Sequence, residues 1–245
     1  MKAIILAAGR GSRMKEKTNI LPKCLTEFQN KTLLEWQLNS LRNAGIKDIA
    51  VITGYRSEEI KKRQPELKYF HNENWEKTNM VATLFKAEEW LCADECIVSY
   101  SDIIYSAKAV NSLIECDADI AITYYTKFLE LWKSRFENPL DDIETFKISA
   151  ESELTEIGRK ANSLSDIEGQ YMGLLKFTPR GFDRISQEFI SQNSSINIEK
   201  IDMTGMLSYL ISKNFKIKAV PYDEVFLEID NQNDLMLYES MNLKL

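Results

Sequence analysis

Short apolar runs alternate along the chain with longer segments in which apolar residues recur every three or four positions. The short runs are too brief for most helices and have the length of strands buried on both faces of a sheet. They cover residues 2–8, 49–53, 67–70, 96–100, 120–125 and 169–177. Strands that alternate with helices at this spacing predict an α/β fold with a doubly wound, mainly parallel sheet, which binds ligands at the carboxyl ends of its strands.

The segments between these runs carry helix signals. Thr32-Leu33-Leu34-Glu35 has the pattern of a capping box, and Gly45 ends the helix that follows it. Ser57 is placed to cap a short charged helix, and a single apolar face predicts another helix over residues 80–91. The other predicted helices are 179–190, which has Pro in its first turn, 203–211 and 231–241.

The alternation breaks between residues 127 and 160, where aromatic residues are followed by a polar stretch. This break predicts an insertion over the substrate side of the sheet. Beyond it, residues 215–220 alternate as an edge strand does, and residues 226–229 form a short apolar run that ends at Asp230. We therefore expect a single domain over residues 1–245, with a nucleotide-binding half at 1–126 and an acceptor-binding half, including the insertion, at 127–230.

Composition narrows the class of protein. The chain has 245 residues, 44% hydrophobic and 28% charged, which is enough to bury one sizeable core. Its net charge of -6 and the lack of a long basic tract argue against nucleic acid as a partner, and no apolar run is long enough to span a membrane. We expect a cytoplasmic protein with no membrane partner. Nothing in the composition specifies an oligomeric state.

The cysteines and the histidine offer little chemistry. Four cysteines form no Cys-x-x-Cys pair, and His71 is the one histidine in the chain. A zinc site is therefore poorly supplied with ligands, and a Ser-His-Asp triad would depend on His71, which lies in a polar segment without a convincing partner. Reduced thiols are the expected state of the cysteines.

The loop after the first strand is suited to bind an anion. Gly9 and Gly11 allow positive φ and close approach of the backbone to a ligand. Five cations, at Arg10, Arg13, Lys15, Lys17 and Lys23, accompany a single acid, Glu16. The loop fits neither a Walker sequence nor a dinucleotide fingerprint, whose third Gly is replaced by Met14. The alternative is a solvated basic turn after an edge strand.

Several motifs together resemble one enzyme family. The sequence Leu6-Ala7-Ala8-Gly9-Arg10-Gly11-Ser12-Arg13-Met14, with Pro22-Lys23, resembles the signature of nucleotidyltransferases that activate sugar phosphates and small phosphorylated alcohols. Residues 79–84, 99–102 and 227–230 resemble the branch of phosphocholine and phosphonate cytidylyltransferases. The resemblance is strong in the first quarter of the chain and weak between 128 and 160.

The resemblance implies a reaction and a nucleotide site. The expected reaction is transfer of CMP from CTP to a small phosphorylated acceptor, with release of pyrophosphate. Arg13 and Lys23 would neutralise the triphosphate, and with Asp102 they are the predicted catalytic residues. The predicted nucleotide contacts are Leu6, Ala8, Gly9, Gly11, Arg13, Lys23, Asn79, Thr83 and Ser101. The choice of cytosine rests on the resemblance alone, and at residues 78 and 79 a helix cap is the alternative role.

Asp102 and Asp230 each follow an apolar run that should place them at the carboxyl edge of the sheet. By resemblance they hold the family's Mg²⁺, an ion that prefers one or two carboxylates together with substrate phosphates. The alternative is a turn-forming or helix-capping Asp. Ser101-Asp102 departs from the sugar-phosphate branch, where Gly-Asp or Asp-Gly-Asp is usual.

The acceptor residues fall in the poorly matched part of the chain. An amino-acid phosphate carries a carboxylate and an ammonium, so it requires an arginine beside an acid, whereas choline requires aromatic faces. The resemblance implies glutamine phosphate rather than phosphocholine as the acceptor, and a role in capsule phosphoramidate modification. Arg135, or its neighbour Lys133, would bind the acceptor carboxylate, although an exposed arginine without a ligand is the alternative. The predicted acceptor contacts are Arg135, Glu168, Tyr171 and Glu228.

Other functions remain compatible with the sequence. Within enzymes, they are a phosphocholine or 2-aminoethylphosphonate cytidylyltransferase and a sugar-1-phosphate uridylyl- or thymidylyltransferase. From another class, an inactive relative could bind nucleotide and regulate a partner. The joint presence of Arg13, Lys23, Asp102 and Asp230 argues against that regulatory function.

Overall fold

A computed structural model describes residues 1–14, 20–190, 196–241 and 243. The predicted loop residues Lys15 and Lys17 lie outside the described residues. The strands are β1 (Lys2–Ala7), β2 (Glu27–Phe28), β3 (Lys31–Thr32), β4 (Asp48–Thr53), β5 (Lys68–His71), β6 (Cys96–Tyr100), β7 (Ile103–Ile104), β8 (Ile120–Tyr125), β9 (Glu144–Ile148), β10 (Leu154–Lys160), β11 (Gln170–Phe177), β12 (Lys218–Tyr222) and β13 (Leu227–Glu228). The helices are α1 (Leu33–Asn43), α2 (Ser57–Arg63), α3 (Met80–Leu84), α4 (Glu88–Leu91), α5 (Ala107–Glu115), α6 (Phe128–Arg135), α7 (Pro179–Ile190), α8 (Met203–Ser212) and α9 (Gln232–Ser240).

The centre of the domain is a seven-stranded sheet in the order β12-β8-β11-β6-β1-β4-β5. β11 runs antiparallel to both of its neighbours, and the other pairings are parallel. The predicted α/β fold with a doubly wound, mainly parallel sheet is confirmed. β1 lies between β6 and β4, so the loop after it opens at the carboxyl ends of three adjacent strands.

The sheet is covered by apolar residues on both faces, as the continuous apolar runs predict. In β1, Ala3, Ile5 and Ala7 pack with α1, α5 and α6, whereas Ile4 and Leu6 pack on the opposite face with α3, α7 and α8. The capping box at Thr32 is formed, since the Glu35 amide donates to the Thr32 hydroxyl and the Thr32 amide donates to Glu35. Among the helices of the described residues, none combines the length and the apolar character needed to cross a bilayer.

The predicted helices and strands are present, with differences in detail. The helix expected over 80–91 is divided into α3 and α4 by a 3₁₀ turn at Phe85–Ala87. α5 is not among the predicted helices, although Ser106 caps it and its buried residues have helical spacing. The segment 127–160 is not irregular, because it contains α6 and an antiparallel hairpin of β9 and β10. Trp132 and Phe146 anchor these elements in the core, so two buried aromatic side chains order a mostly polar stretch.

A small pairing outside the main sheet brings distant residues together. β7 and β13 are antiparallel, with Ile104 opposite Leu227 and Ile103 opposite Glu228. The Ile229 amide donates to the carbonyl oxygen of Asp102 over 3.0 Å. Asp102 and Asp230 therefore lie side by side at the carboxyl edge of the sheet, although they are far apart in the sequence.

Candidate active site

A cavity of about 330 Å³ lies at the carboxyl ends of β1 and β6. Its lining includes every residue predicted to contact the nucleotide, together with Asp102. The complete lining is Leu6, Ala8, Gly9, Gly11, Ser12, Arg13, Lys23, Trp75, Thr78, Asn79, Met80, Thr83, Tyr100, Ser101 and Asp102. A larger cavity of about 910 Å³ lies between α1 and the start of α5, and it is lined by none of the predicted site residues.

Gly11 fits closely over Lys23. Its φ is +72°, in the left-handed region that favours glycine, and a Cβ at this position would lie 2.6 Å from Lys23 Cβ and 2.9 Å from its Cδ. The loop thus holds the aliphatic part of Lys23 against the backbone. The glycine at this position is required both by backbone conformation and by close packing.

The Lys23 ammonium lies between the two aspartates. Its Nζ is 2.7 Å from Asp102 Oδ2 and 2.9 Å from Asp230 Oδ1. Arg13 Nη2 also contacts Asp230 Oδ1, at 2.8 Å. Burial alone would lower the pKa of Lys23, but the two carboxylates outweigh it and raise that pKa above its ordinary value. The pKa of Asp230 is lowered, since Lys23 and Arg13 overcome the opposing effect of its burial.

The two aspartates have a chemistry suited to a hard cation. Both contact the Lys23 ammonium, and Asp230 also contacts the guanidinium groups of Arg13 and Arg135. Asp102 Oδ1 is buried and accepts no hydrogen bond from any described residue, so a carboxylate oxygen remains available. Within the described part of the chain, no three His, Cys, Asp or Glu side chains group in metal-binding geometry. This donor set fits Mg²⁺, which takes one or two carboxylates and completes its shell with phosphates and water.

The Arg135 side chain is buried among acidic side chains. Its side chain is 0% exposed and contacts Glu228, Asp230 and Asp234 at 3.1, 3.3 and 3.0 Å. The guanidinium is thus committed to three carboxylates behind the cavity, and it does not line the cavity. Arg135 binds the Oδ2 atom of Asp230, while the Oδ1 atom faces Lys23, and the expected contact of Arg135 with an acceptor carboxylate stays a prediction.

The other predicted acceptor residues are separated. Glu228 lies beside Asp230, and burial together with the Asp230 charge raises the pKa of Glu228. Tyr171 is buried behind Tyr100, with ring centroids 5.9 Å apart in an edge-on arrangement. Glu168 is exposed and accepts a hydrogen bond from the Ile148 amide over 2.7 Å. Of the predicted acceptor set, Glu228 is therefore next to the aspartates and Glu168 belongs to the β9 region.

Asn79 and Thr83 line the cavity and also have structural roles. Asn79 caps α3 by accepting from the Met80 amide over 2.8 Å, which was the alternative role weighed for it. Asn72, which is fully buried, donates to the hydroxyls of both Thr78 and Thr83 at 2.9 Å. Sequence reasoning overlooked Asn72, whose polar surroundings resemble those of a surface loop. The structural role of Asn72 becomes clear only when its hydrogen-bond partners, Thr78 and Thr83, are known.

Trp75 is a further lining residue that the sequence analysis missed. It packs against Gly54, where a Cβ would lie 2.6 Å from Trp75 Cβ, and its ring lies edge-on to Tyr55 at 5.3 Å. A single aromatic residue within the polar segment 72–78 was the available signal. The cavity lining thus combines the charged side chains of the glycine loop and Asp102 with neutral residues that include an aromatic side chain.

The comparisons with known proteins find similarity to nucleotidyltransferases. The family of the MobA-like NTP transferase domain matches residues 3–150. A CTP:phosphoglutamine cytidylyltransferase of Campylobacter jejuni is 37% identical over 96% of this chain and 98% of its own length. A choline-phosphate cytidylyltransferase of Streptococcus pneumoniae is 30% identical over 53% of this chain and 55% of its own length.

Solved structures agree on the fold. The inositol-1-phosphate CTP transferase from T. maritima superposes with a TM-score of 0.75 and 18% identity, covering 100% of this chain and 98% of that one. At this level of identity the likeness concerns the fold alone.

Proposed function

The chain belongs to the MobA-like NTP transferase domain family, and from this premise we propose that it is a Mg²⁺-dependent cytidylyltransferase. It transfers CMP from CTP to a small phosphorylated acceptor and releases pyrophosphate. The observation that carries this proposal is the meeting of a cationic glycine loop with Asp102 in one cavity, where the Lys23 ammonium also links Asp102 to Asp230. Such a site has the charges needed to bind a nucleoside triphosphate with its metal.

The residues that line the cavity support a specific placement of the nucleotide. The triphosphate lies at Gly9, Gly11, Arg13 and Lys23, where backbone amides and two side-chain cations neutralise its negative charge. The base is placed against the neutral residues of the lining, Asn79 and Thr83 together with Trp75. The assignment of cytosine follows the cytidylyltransferases among the relatives, as cavity chemistry alone does not select it.

The reaction depends on charge neutralisation and alignment. An acceptor phosphate is already anionic at neutral pH, so it attacks the α-phosphate without a general base. The single histidine, His71, is not required and lies against the Thr53 hydroxyl, outside the cavity lining. Lys23 and Arg13 stabilise the negative charge that builds up on the departing pyrophosphate. Asp102 and Asp230 would hold Mg²⁺, which when bound supplies further neutralisation of the phosphates.

The proposed acceptor is glutamine phosphate. Support comes from the C. jejuni relative, whose similarity extends over nearly the whole chain, including the region of the proposed acceptor contacts. The predicted acceptor contact Glu228 lies beside the aspartate pair, with its carboxylate 3.1 Å from Arg135 Nη1. Arg135 acts in this proposal through Asp230 rather than through the acceptor.

Lys23→Ala is expected to lower kcat/KM. The loss corresponds to about 2 to 4 kcal/mol of transition-state stabilisation, because one buried charge-stabilising donor is removed. Steady-state kinetics with CTP, acceptor and Mg²⁺ measure this change. Lys61→Ala is the matched control, since Lys61 lies on α2 and contacts only Glu58 among the ion pairs described. A Lys23 variant with the wild-type turnover number would remove Lys23 from the mechanism.

Gly11→Ala is expected to weaken both stability and activity. A non-glycine residue in the left-handed region costs about 1–2 kcal/mol, and the new methyl group would push Lys23 out of place. Gly45→Ala separates the two effects, since Gly45 has a φ of +87° but open space around its Cβ position. Urea unfolding should show a loss in both variants, whereas kcat/KM should fall only for Gly11→Ala. An equal loss of activity in both would contradict the packing argument.

The proposal is tested by pyrophosphate release over a matrix of nucleotides and acceptors. CTP, UTP and dTTP are each combined with glutamine phosphate, phosphocholine, 2-aminoethylphosphonate and glucose 1-phosphate. We expect the highest kcat/KM for CTP with glutamine phosphate. A preference for phosphocholine would contradict the proposed acceptor, and a preference for UTP or dTTP would contradict the nucleotide. Absence of even a single turnover with every pair would instead indicate a nucleotide-binding protein without catalysis.

A further inference from the structure

Lys23 occupies the position that a cation bound by both aspartates would need. We propose that Lys23 and a divalent metal ion compete for Asp102 and Asp230, and that a bound triphosphate frees the two carboxylates by attracting the Lys23 ammonium. This inference rests on the proposed function where it concerns the nucleotide. Its first part, the competition, concerns the protein and the metal ion alone.

The Lys23 ammonium contacts both aspartates at once. The Lys23 side chain is only 8% exposed, and its Nζ lies within hydrogen-bond distance of one oxygen from each aspartate. These charge-assisted contacts satisfy two partly buried carboxylates that would otherwise repel each other. Without a nucleotide, the ammonium therefore acts as the counter-ion of the pair.

The Lys23 ammonium and a metal ion exclude each other at the two aspartates. A divalent ion held by the same two oxygen atoms would share its position with Nζ, which lies 2.7 Å from one and 2.9 Å from the other. Two cations cannot approach that closely in a partly buried site. Asp102 Oδ1, which has no hydrogen-bond donor among the described residues, offers a metal a ligand atom that Lys23 does not use.

The end of the Lys23 side chain can move away from the aspartates within the cavity. Gly11 fixes the stem of the side chain near Cβ and Cδ, so only the end of the side chain has to move. That end borders the same cavity as Gly9, Gly11 and Arg13, where the phosphates of a nucleotide would lie. Asp230 stays in position when Lys23 leaves, because Arg135 holds its Oδ2 atom at 3.3 Å from the opposite side.

Arg13 completes the arrangement. It also contacts Asp230 Oδ1, but its side chain is 67% exposed and can turn towards a phosphate at little cost. Lys23 is therefore the main competitor of the metal. Since each ligand removes an obstacle to the other, nucleotide and metal should bind with positive coupling.

The test measures Mn²⁺ binding to the full chain by electron paramagnetic resonance of the free ion, with no nucleotide or acceptor present. Lys23→Met removes the ammonium at similar side-chain length, and it should bind Mn²⁺ at least about tenfold more tightly than the wild type, within the usual range of coupling between sites. Lys23→Arg keeps the charge and should bind as weakly as the wild type. Lys23→Gln provides the same comparison if Lys23→Met does not fold.

A double variant identifies the ion's position. Adding Asp102→Asn to Lys23→Met should abolish the gain in Mn²⁺ affinity. The proposal is overturned if Lys23→Met and Lys23→Gln bind Mn²⁺ no more tightly than the wild type, or if the gain survives the loss of Asp102. Since the assay contains no CTP, its result is independent of the nucleotide and acceptor that the enzyme uses, and a failure of the proposed function would be seen separately in the pyrophosphate assay.

Addition of CTP tests the second part. In the wild type, saturating CTP should tighten Mn²⁺ binding. The ratio of the Mn²⁺ affinities with and without CTP should be about tenfold smaller in Lys23→Met, because this variant lacks the ammonium that competes with the metal. An unchanged ratio would show that the triphosphate does not act through Lys23.

Discussion

Asp102→Asn is expected to reduce kcat/KM by about 10³-fold, or roughly 4 kcal/mol, because it replaces an anionic oxygen ligand with a neutral amide of the same size. Asp102 is one of the two carboxylates that meet at the Lys23 ammonium, and its Oδ1 atom lacks a donor among the described residues. The fold should remain intact, since Lys23 keeps its contact with Asp230. Kinetics at saturating CTP and a range of Mg²⁺ concentrations measure the effect, and circular dichroism checks the fold.

Asp48→Asn is the matched control for this prediction. Asp48 is exposed and begins β4, at the amino-terminal edge of the same sheet. The chemical change is identical, but the residue lies at the end of the sheet away from the cavity, so kcat/KM should be unchanged. If Asp102→Asn were as active as this control at saturating Mg²⁺, Asp102 would have no role in binding the metal.

Arg135→Met should lower the free energy of unfolding by about 3–5 kcal/mol, the usual loss when one partner of a buried ion pair is removed. The Arg135 guanidinium is the shared partner of Glu228, Asp230 and Asp234, and its own side chain is 0% exposed. Removing it leaves Glu228 and Asp234 without their counter-ion among the described residues, whereas Asp230 keeps its contacts with Lys23 and Arg13. Urea unfolding followed by circular dichroism measures the change.

Lys133→Met is the control on the same helix. Lys133 is exposed, and its replacement should change the unfolding free energy by no more than about 0.5 kcal/mol. Similar stabilities of the two variants would show that the acidic cluster does not depend on Arg135. A stable Arg135→Lys variant that lost activity only with carboxylate-bearing acceptors would restore the direct acceptor role expected from the sequence.

The nucleotide loop could be predicted because its signals are local. The apolar run of β1, the two glycines and the following cations are contiguous, and among them the structure places Leu6, Gly9, Gly11, Arg13 and Lys23 around one cavity. The positions of Asp102 and Asp230 at strand ends could also be predicted, as each ends an apolar run. Such features require no knowledge of which segments meet in space.

The surroundings of the aspartates could not be predicted in this way. Their proximity depends on the pairing of β7 with β13, and each of these strands has only two residues, too few to show a periodic pattern. The burial of Arg135 depends on carboxylates from residues 228–234, and a lone arginine in a polar segment gives no sign of such partners. Trp75 and Asn72 were missed for the same reason, since both lie in a polar loop whose contacts are nonlocal.

The central claim is that this chain joins CMP to an acceptor phosphate. The most direct measurement is ³¹P NMR of a reaction containing the wild-type protein, CTP, glutamine phosphate and Mg²⁺. The claim predicts two mutually coupled resonances from a new diphosphate bridge, together with an equimolar amount of pyrophosphate. Unchanged CTP, or conversion of CTP to CDP with phosphate and no bridged product, would contradict it.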